Sequence, residues 1–223
     1  MVWECLHNRA CRIDCPQALK DLKLNFLFVR YKLLIVDFDN TLLHTDPYWD
    51  MSYELVRRCL RIKLKDVEEH LAEFERTGKW NLFGEVDEYV RKDLLRMDGA
   101  YFELVSRKPE FLEEVDKVRR ILDELRGKVD LVLISSNQSL DLKGFLQKHG
   151  LRTYFARVIQ GRERRAVFLE LMREYGLKKD EVLVLGDTEY ERRLCEELGL
   201  NFLKVGEDGE LRSFLELNRF LEL

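Results

Sequence analysis

The chain lacks the long apolar run that a membrane helix requires. The nearest stretch, 22–38, is interrupted by Lys23, Asn25, Arg30, Lys32 and Asp37, so no membrane partner is expected. It also lacks a basic block with interleaved aromatics, and its net charge is −4. That balance excludes a phosphate-backbone footprint, and with it a nucleic-acid partner. The five cysteines, Cys5, Cys11, Cys15, Cys59 and Cys195, are an odd number, and two fall in helix-patterned segments. In a chain this long a disulfide scaffold is not expected, and a reducing, cytoplasmic setting is the expectation. The N-terminus has no basic start, apolar stretch and small-residue cleavage site of the kind that directs secretion. No internal repeat or low-complexity tract occurs. Only three prolines accompany an excess of Glu, Lys and Arg, a balance typical of heat-adapted proteins.

What is present is a core and its wrapping. Of 223 residues, 46% are hydrophobic and 36% charged, enough for one large domain or a core with a smaller insert. Four short apolar runs, 33–36, 131–134, 182–185 and the weaker 202–205, read as buried parallel strands, with a fifth at 156–159. Amphipathic stretches alternate with them: 111–125, 140–149 closed by Gly150, 166–175 closed by Gly176, and 189–198 closed by Gly199. The alternation predicts an α/β fold, a Rossmann-like parallel sheet with helices on both faces.

One stretch breaks this rhythm. Between 46 and 105 no strand pattern occurs. Asp46 and Pro47 predict a helix cap and first turn. Met51, Leu55, Cys59 and Leu60 share one helical face. A second helix carries Val67, Leu71 and Phe74, and a third Val86, Val90 and Leu94. So much helix is too long for a loop and predicts a small inserted helical domain. The expected organisation is an N-terminal extension over 1–30, a core made of 31–45 and 106–223, and the insert over 46–105. The extension is a tail or an extra edge strand around 26–29.

Three strand ends carry chemistry. The first apolar run delivers Asp37, Phe38, Asp39, Asn40 and Thr41. In open α/β sheets ligands bind at strand C-termini. Carboxylates two residues apart leave an extended segment on the same side, and their charges call for a shared proton or a hard divalent cation. Another run ends in Gly186 and Asp187, with Glu191 one helical turn beyond. The run at 131–134 ends in Ser135, Ser136 and Asn137, whose hydroxyls and backbone N–H groups at a helix start suit a phosphate. Solvated loop aspartates or ordinary helix caps would leave the same marks singly.

Together these ends resemble the haloacid dehalogenase (HAD) superfamily of phosphohydrolases. The first motif of that family, Asp-x-Asp-x-Thr after a strand, is matched by Asp37, Asp39 and Thr41. Its second, a Ser or Thr after a strand, is matched by Ser135 or Ser136. Its fourth, Gly-Asp with a later acid, is matched by Gly186, Asp187 and Glu191. The likeness runs from about Lys32 to the end, and the helical insert resembles the family's C1-type cap. Two features depart from the pattern. The third motif is usually a Lys, but no Lys lies between Lys148 and Lys178. Arg162, Arg164 and Arg165 are the local cations, with Arg162 and Arg165 better placed by the expected helix register. The later acid of the fourth motif is more often Asp than Glu.

The resemblance implies a Mg²⁺-dependent phosphatase acting on a small phosphorylated metabolite, as a monomer or homodimer. Asp37 is the implied nucleophile and Asp39 the acid and base. Asp37, Asp39 and Asp187 are the implied metal ligands. Thr41, Ser135, Ser136, Asn137 and Arg162 or Arg165 are implied to hold the phosphate, and Glu191 to order metal-bound water or the arginine. A phosphomutase or dehalogenase of the same fold, or a phosphate-binding module without catalysis, are the alternatives. Among the remaining candidates, Cys5, His7, Cys11 and Cys15 are spaced unlike common zinc sites. His44 reads as a turn residue near the first motif, and Tyr48, Trp49, Trp80 and Phe83 as aromatics of the insert.

Overall fold

The computed structural model describes residues 31–60, 64–78, 88–138 and 140–217. The proposals for the first thirty residues, Val86, Trp80 and Phe83 lie outside them. Five strands form one parallel sheet: β1 (Leu33–Asp37), β2 (Asp130–Ser135), β3 (Arg157–Gln160), β4 (Val182–Gly186) and β5 (Asn201–Lys204), in the order β3-β2-β1-β4-β5. All five expected strands are present, each within a residue or so of its apolar run.

The continuous hydrophobicity of the central strands β1, β2 and β4 follows from burial on both faces. Alternate residues of β1 diverge. Leu34 and Val36 join Phe38, Leu131, Leu133, Leu183 and Leu185 in one core, while Leu33 and Ile35 join Val132, Ile134, Val184, Phe168 and Leu171 in the other. All of β1 is buried. Each such side chain contributes about 1.5–3 kcal/mol through burial.

Between β1 and β2 come α1 (Asp46–Leu60), α2 (Leu64–Thr77), α3 (Glu88–Val105) and α4 (Pro109–Leu125). The first three lie within residues 46–105, the stretch without strands. Helix α1 begins at Asp46, with Thr45 O accepting from the N–H groups of Tyr48 at 2.9 Å and Trp49 at 3.1 Å. Pro109 opens α4, where a missing N–H costs nothing. Phe102 of α3 ties the insert to the core. Its ring stands edge-on to Tyr48 (5.2 Å between centroids), Phe111 (6.0 Å) and Phe145 (5.2 Å) and tilts against Phe38 (6.1 Å). Helix α5 (Leu142–Lys148) follows β2, α6 (Arg164–Tyr175) follows β3 and α7 (Glu189–Leu198) follows β4.

Strand register brings the chemical residues to one edge. Asp37 lies level with Ile134, one residue before Ser135. Val36 lies level with Leu185, two residues before Asp187.

Candidate active site

Asp37 is the last residue of β1 and is only 3% exposed. The backbone beyond it turns sharply. Leu42 N–H donates to Asp37 O and Phe38 O, and Asn40 adopts a positive φ of 53°. Asparagine tolerates that region better than most residues. Its side chain holds the turn: Oδ1 accepts from Thr45 N at 2.9 Å and Nδ2 donates to Asp46 Oδ1 at 2.6 Å. The turn aims Asp39 back over the strand edge. Thr45 Oγ1 donates to Asp39 Oδ1 and Ser135 Oγ to Asp39 Oδ2, both at 3.2 Å.

The arginine that the structure brings to Asp37 is Arg164, where the expectation was Arg162 or Arg165. Arg164 is 8% exposed; its Nη2 donates to Asp37 Oδ1 at 2.5 Å. Its Nη1 lies 3.0 Å from Glu191 Oε1 as an ion pair without hydrogen-bond alignment. Arg162 pairs with Glu170 at 2.7 Å and Arg165 with Glu197, both exposed, although Arg162 also lines a small pocket with Ser135, Ile134, Ile159, Val167 and Arg164. The physical reason is the helix start. Glu163 caps α6 by accepting from Arg165 N (2.8 Å) and Ala166 N (2.7 Å), so Arg164 is the first helical residue. The expected start at Ala166 set the register two residues late.

Glu191 is fully buried. Its Oε2 accepts from Thr188 Oγ1 at 2.9 Å while its N–H donates to that hydroxyl at 3.3 Å, a reciprocal cap on α7. Gly186 makes room for it: a Cβ there would fall 2.4 Å from Glu191 Oε2.

Other expected residues divide. Thr41 is 2% exposed and its hydroxyl has no partner among the described residues. Ser136 is half-buried beside Ser135. The Asn137 side chain is engaged elsewhere, accepting from Leu140 N at 3.3 Å and donating to Tyr48 Oη at 3.5 Å, so it braces the loop against the insert. His44 is exposed, its N–H donating to Glu114 Oε1 at 2.9 Å. Sequence reasoning missed the contact of Thr45 with Asp39.

The acids burden one another. Burial, then the charge of Asp37, raises Asp39 to about 7. Burial, then Asp37 and Glu191, raises Asp187 above the carboxylate range. Burial raises Asp37 against the pull of Arg164. Arg164 stays charged, because Asp37 and Glu191 outweigh the cost of its burial. One guanidinium faces three carboxyl groups, Asp37, Glu191 and Asp187, with Asp39 close to the first, an excess of acid that a cation would relieve. Among the described residues, no three acidic, histidine or cysteine side chains converge into a ready-made cage. Mg²⁺ does not need one, since it binds through one or two carboxylates and keeps several waters. The oxygen donors and their excess charge therefore fit that ion.

A family model described as haloacid dehalogenase-like hydrolase matches residues 34–205. No curated protein gave a match. Among solved structures, a predicted phosphoglycolate phosphatase from Haemophilus somnus 129pt is 15% identical with a TM-score of 0.58, covering 85% of this chain and 91% of its own. CbbY from Rhodobacter sphaeroides, in complex with phosphate, is 15% identical with a TM-score of 0.55, covering 84% and 96%. YfnB from Bacillus subtilis, assigned to the HAD hydrolases and bound to magnesium, is 15% identical with a TM-score of 0.52, covering 87% and 100%. Identities this low speak to the fold. The family match spans most of the chain, and the chain belongs to the haloacid dehalogenase-like hydrolases.

Proposed function

We propose that this protein is a Mg²⁺-dependent phosphatase that hydrolyses a small phosphorylated metabolite through a phosphoryl group carried on Asp37. The observation that carries the reading is Asp37 itself: a buried carboxylate at the end of the central strand, paired with Arg164 and flanked by Asp39. An Asp37 oxygen attacks phosphorus and the bond to the leaving oxygen breaks. Asp39 gives that oxygen its proton. In the second half, Asp39 takes a proton from the water that attacks the acyl phosphate, and Asp37 is released. Arg164 and the Ser135 hydroxyl hold phosphoryl oxygens as charge spreads over them, with Thr41 and Ser136 close by. Glu191 keeps the guanidinium in place. Mg²⁺ held by Asp37, the Asp39 carbonyl and Asp187 would supply neutralisation of the phosphate charge that otherwise repels a carboxylate nucleophile. An Asp39 pKa near 7 suits a group that must give and then take a proton near neutrality. The helical insert acts as a cap that limits water and chooses the substrate.

The relatives named for phosphatase activity, phosphate and magnesium support this reading. The test is hydrolysis of 4-nitrophenyl phosphate with and without Mg²⁺, followed by a panel of phosphorylated metabolites. Asp37→Asn should abolish turnover while circular dichroism stays native. Mg²⁺-dependent turnover in that variant would exclude the covalent route.

A further inference from the structure

Ser135 offers its hydroxyl to a phosphoryl oxygen only where its neighbours hold it. Its Oγ donates to Asp39 Oδ2 at 3.2 Å and accepts from Asn137 N–H at 3.0 Å. The direction of that hydroxyl therefore depends on where Asn137 stands.

Asn137 is held from two sides. On the sheet side, Gln160 at the end of β3 donates from Nε2 to Asn137 O at 2.5 Å and to Leu140 O at 2.6 Å. On the other side the hold comes from helices α1 and α3. Tyr48 of α1 donates its hydroxyl proton to Asp98 Oδ2 of α3 at 2.6 Å. Ser52, one turn further along α1, donates to Asp98 Oδ1. A carboxylate only accepts, so the Tyr48 proton is committed and its oxygen turns a lone pair to Asn137 Nδ2 at 3.5 Å. Asn137 Oδ1 accepts from Leu140 N at 3.3 Å, so the amide cannot flip without losing both contacts. Tyr48, Ser52, Asp98, Ser135 and Asn137 are all buried, where a lost partner is costly.

We propose that Tyr48, braced by Asp98, is a positioning residue: through Asn137 it sets the Ser135 hydroxyl where it can hold a phosphoryl oxygen. This rests on the phosphatase reading, in which Ser135 binds phosphate. Two helices far from β2 in sequence thus set the grip of the phosphate site.

Phosphate binding and turnover supply the test. Tyr48→Phe keeps the ring, with its edge-on packing against Phe102, and removes only the hydroxyl. With 4-nitrophenyl phosphate and Mg²⁺, kcat/KM should fall about three- to tenfold, the scale of one hydrogen bond. The inhibition constant of inorganic phosphate should rise by a similar factor. Ser52→Ala takes a donor from the same carboxylate but leaves the Tyr48–Asn137 contact, and should keep both quantities within about twofold of the parent. In Ser135→Ala, adding Tyr48→Phe should change kcat/KM by less than about twofold, because the hydroxyl that Tyr48 sets is gone. A loss in kcat alone, with KM and phosphate inhibition unmoved, marks a smaller active fraction and overturns the proposal. So do equal losses in the parent and Ser135→Ala backgrounds, or an equal loss in Ser52→Ala. Should Tyr48→Phe not fold, Tyr48→Phe/Asp98→Asn takes its place, since the carboxylate left short of a donor goes too, and the same kinetic outcomes apply. A parent that hydrolyses no phosphate ester overturns the phosphatase reading and this inference with it. An active parent with an unaffected Tyr48→Phe overturns only the inference.

Discussion

Arg164 Nη2 lies 2.5 Å from Asp37 Oδ1, joining the first residue of α6 to the last residue of β1. Residues 127 positions apart are brought together because β3 ends beside β2 and the helix that follows turns back over the sheet edge. The same guanidinium faces Glu191, so one cation organises two buried carboxylates from different strand ends. Arginine keeps its charge at any working pH and spans both partners with a rigid fork, where lysine would offer a single point.

Replacing Arg164 by Ala should lower kcat by about a hundredfold or more, the scale of one lost transition-state donor. It should also destabilise the fold by about 3–5 kcal/mol, since two buried carboxylates lose their cation. Arg162→Ala and Arg165→Ala, which lose only exposed pairs with Glu170 and Glu197, should stay close to the parent in rate and stability. Arg164→Lys should recover part of the rate. Kinetics and denaturant melts on the four variants check this, and an active Arg164→Ala would remove the residue from the site.

Added Mg²⁺ should raise the melting temperature of the metal-free protein, because Asp37, Asp39 and Asp187 repel one another without it. At a hundredfold excess over Kd the gain is about 2.7 kcal/mol. Asp187→Asn should lose most of the shift. EDTA should abolish turnover reversibly, and Ca²⁺, with its larger and looser coordination shell, should fail to replace Mg²⁺. A melting temperature indifferent to Mg²⁺ would show that these carboxylates do not hold the ion.

The strands and their chemical ends are legible in sequence for one reason. The three central strands, β1, β2 and β4, are buried on both faces, so their apolar runs stop where the sheet edge begins, and Asp37, Ser135 and Asp187 mark those stops. The start of α6 is not legible in the same way. Glu163 is an uncommon capping residue, so a start at Ala166 looks natural. Two residues turn a helix by about 200°, enough to exchange its inner and outer faces. That one error moves the site cation from Arg164 to its neighbours. The contact of Asn137 with Tyr48 depends on how the insert sits against the core, and no local pattern encodes that.

His149 offers a pH test away from the acids. It closes α5 against Phe145, with 4.5 Å between ring centroids, and its Nε2 is buried without a partner among the described residues. Burial, then Lys148, lowers its pKa; Arg119 acts the same way, while Glu103 and Asp116 oppose them. The folded protein therefore resists a proton that the unfolded chain accepts near the ordinary value of about 6.5. The contribution of His149 is complete above that value and is lost as pH falls through it. His149→Phe, which can still stack on Phe145, should flatten this acid-side loss in urea midpoints. An unchanged slope would assign the loss to other groups.

The last prediction concerns the seat of the insert on the core. Helix α2 ends at Gly78, whose φ is +67° and whose N–H donates to Phe74 O at 2.7 Å. A left-handed residue after a helix favours glycine. Here a second reason operates. A Cβ on Gly78 would lie 2.2 Å from Cε1 of Tyr190 and 2.3 Å from its Cζ, deep inside contact distance. Tyr190 directly precedes Glu191 and packs against the core on its side of the sheet, so the ring cannot give way without disturbing α7. Arg193 of the same helix donates to Glu75 O at 2.5 Å and fixes α2 at a second point. Gly78→Ala should therefore carry two costs: left-handed strain of about 1–2 kcal/mol, and a clash that lifts α2 from α7. The clash should vanish in Gly78→Ala/Tyr190→Ala, leaving only the strain and the lost ring contact. A double-mutant cycle in denaturant should then give a coupling of about 0.5–3 kcal/mol, with the double variant more stable than the sum of the singles allows. Additive effects would mean that Tyr190 does not seat the insert, and that Gly78 serves only to end α2.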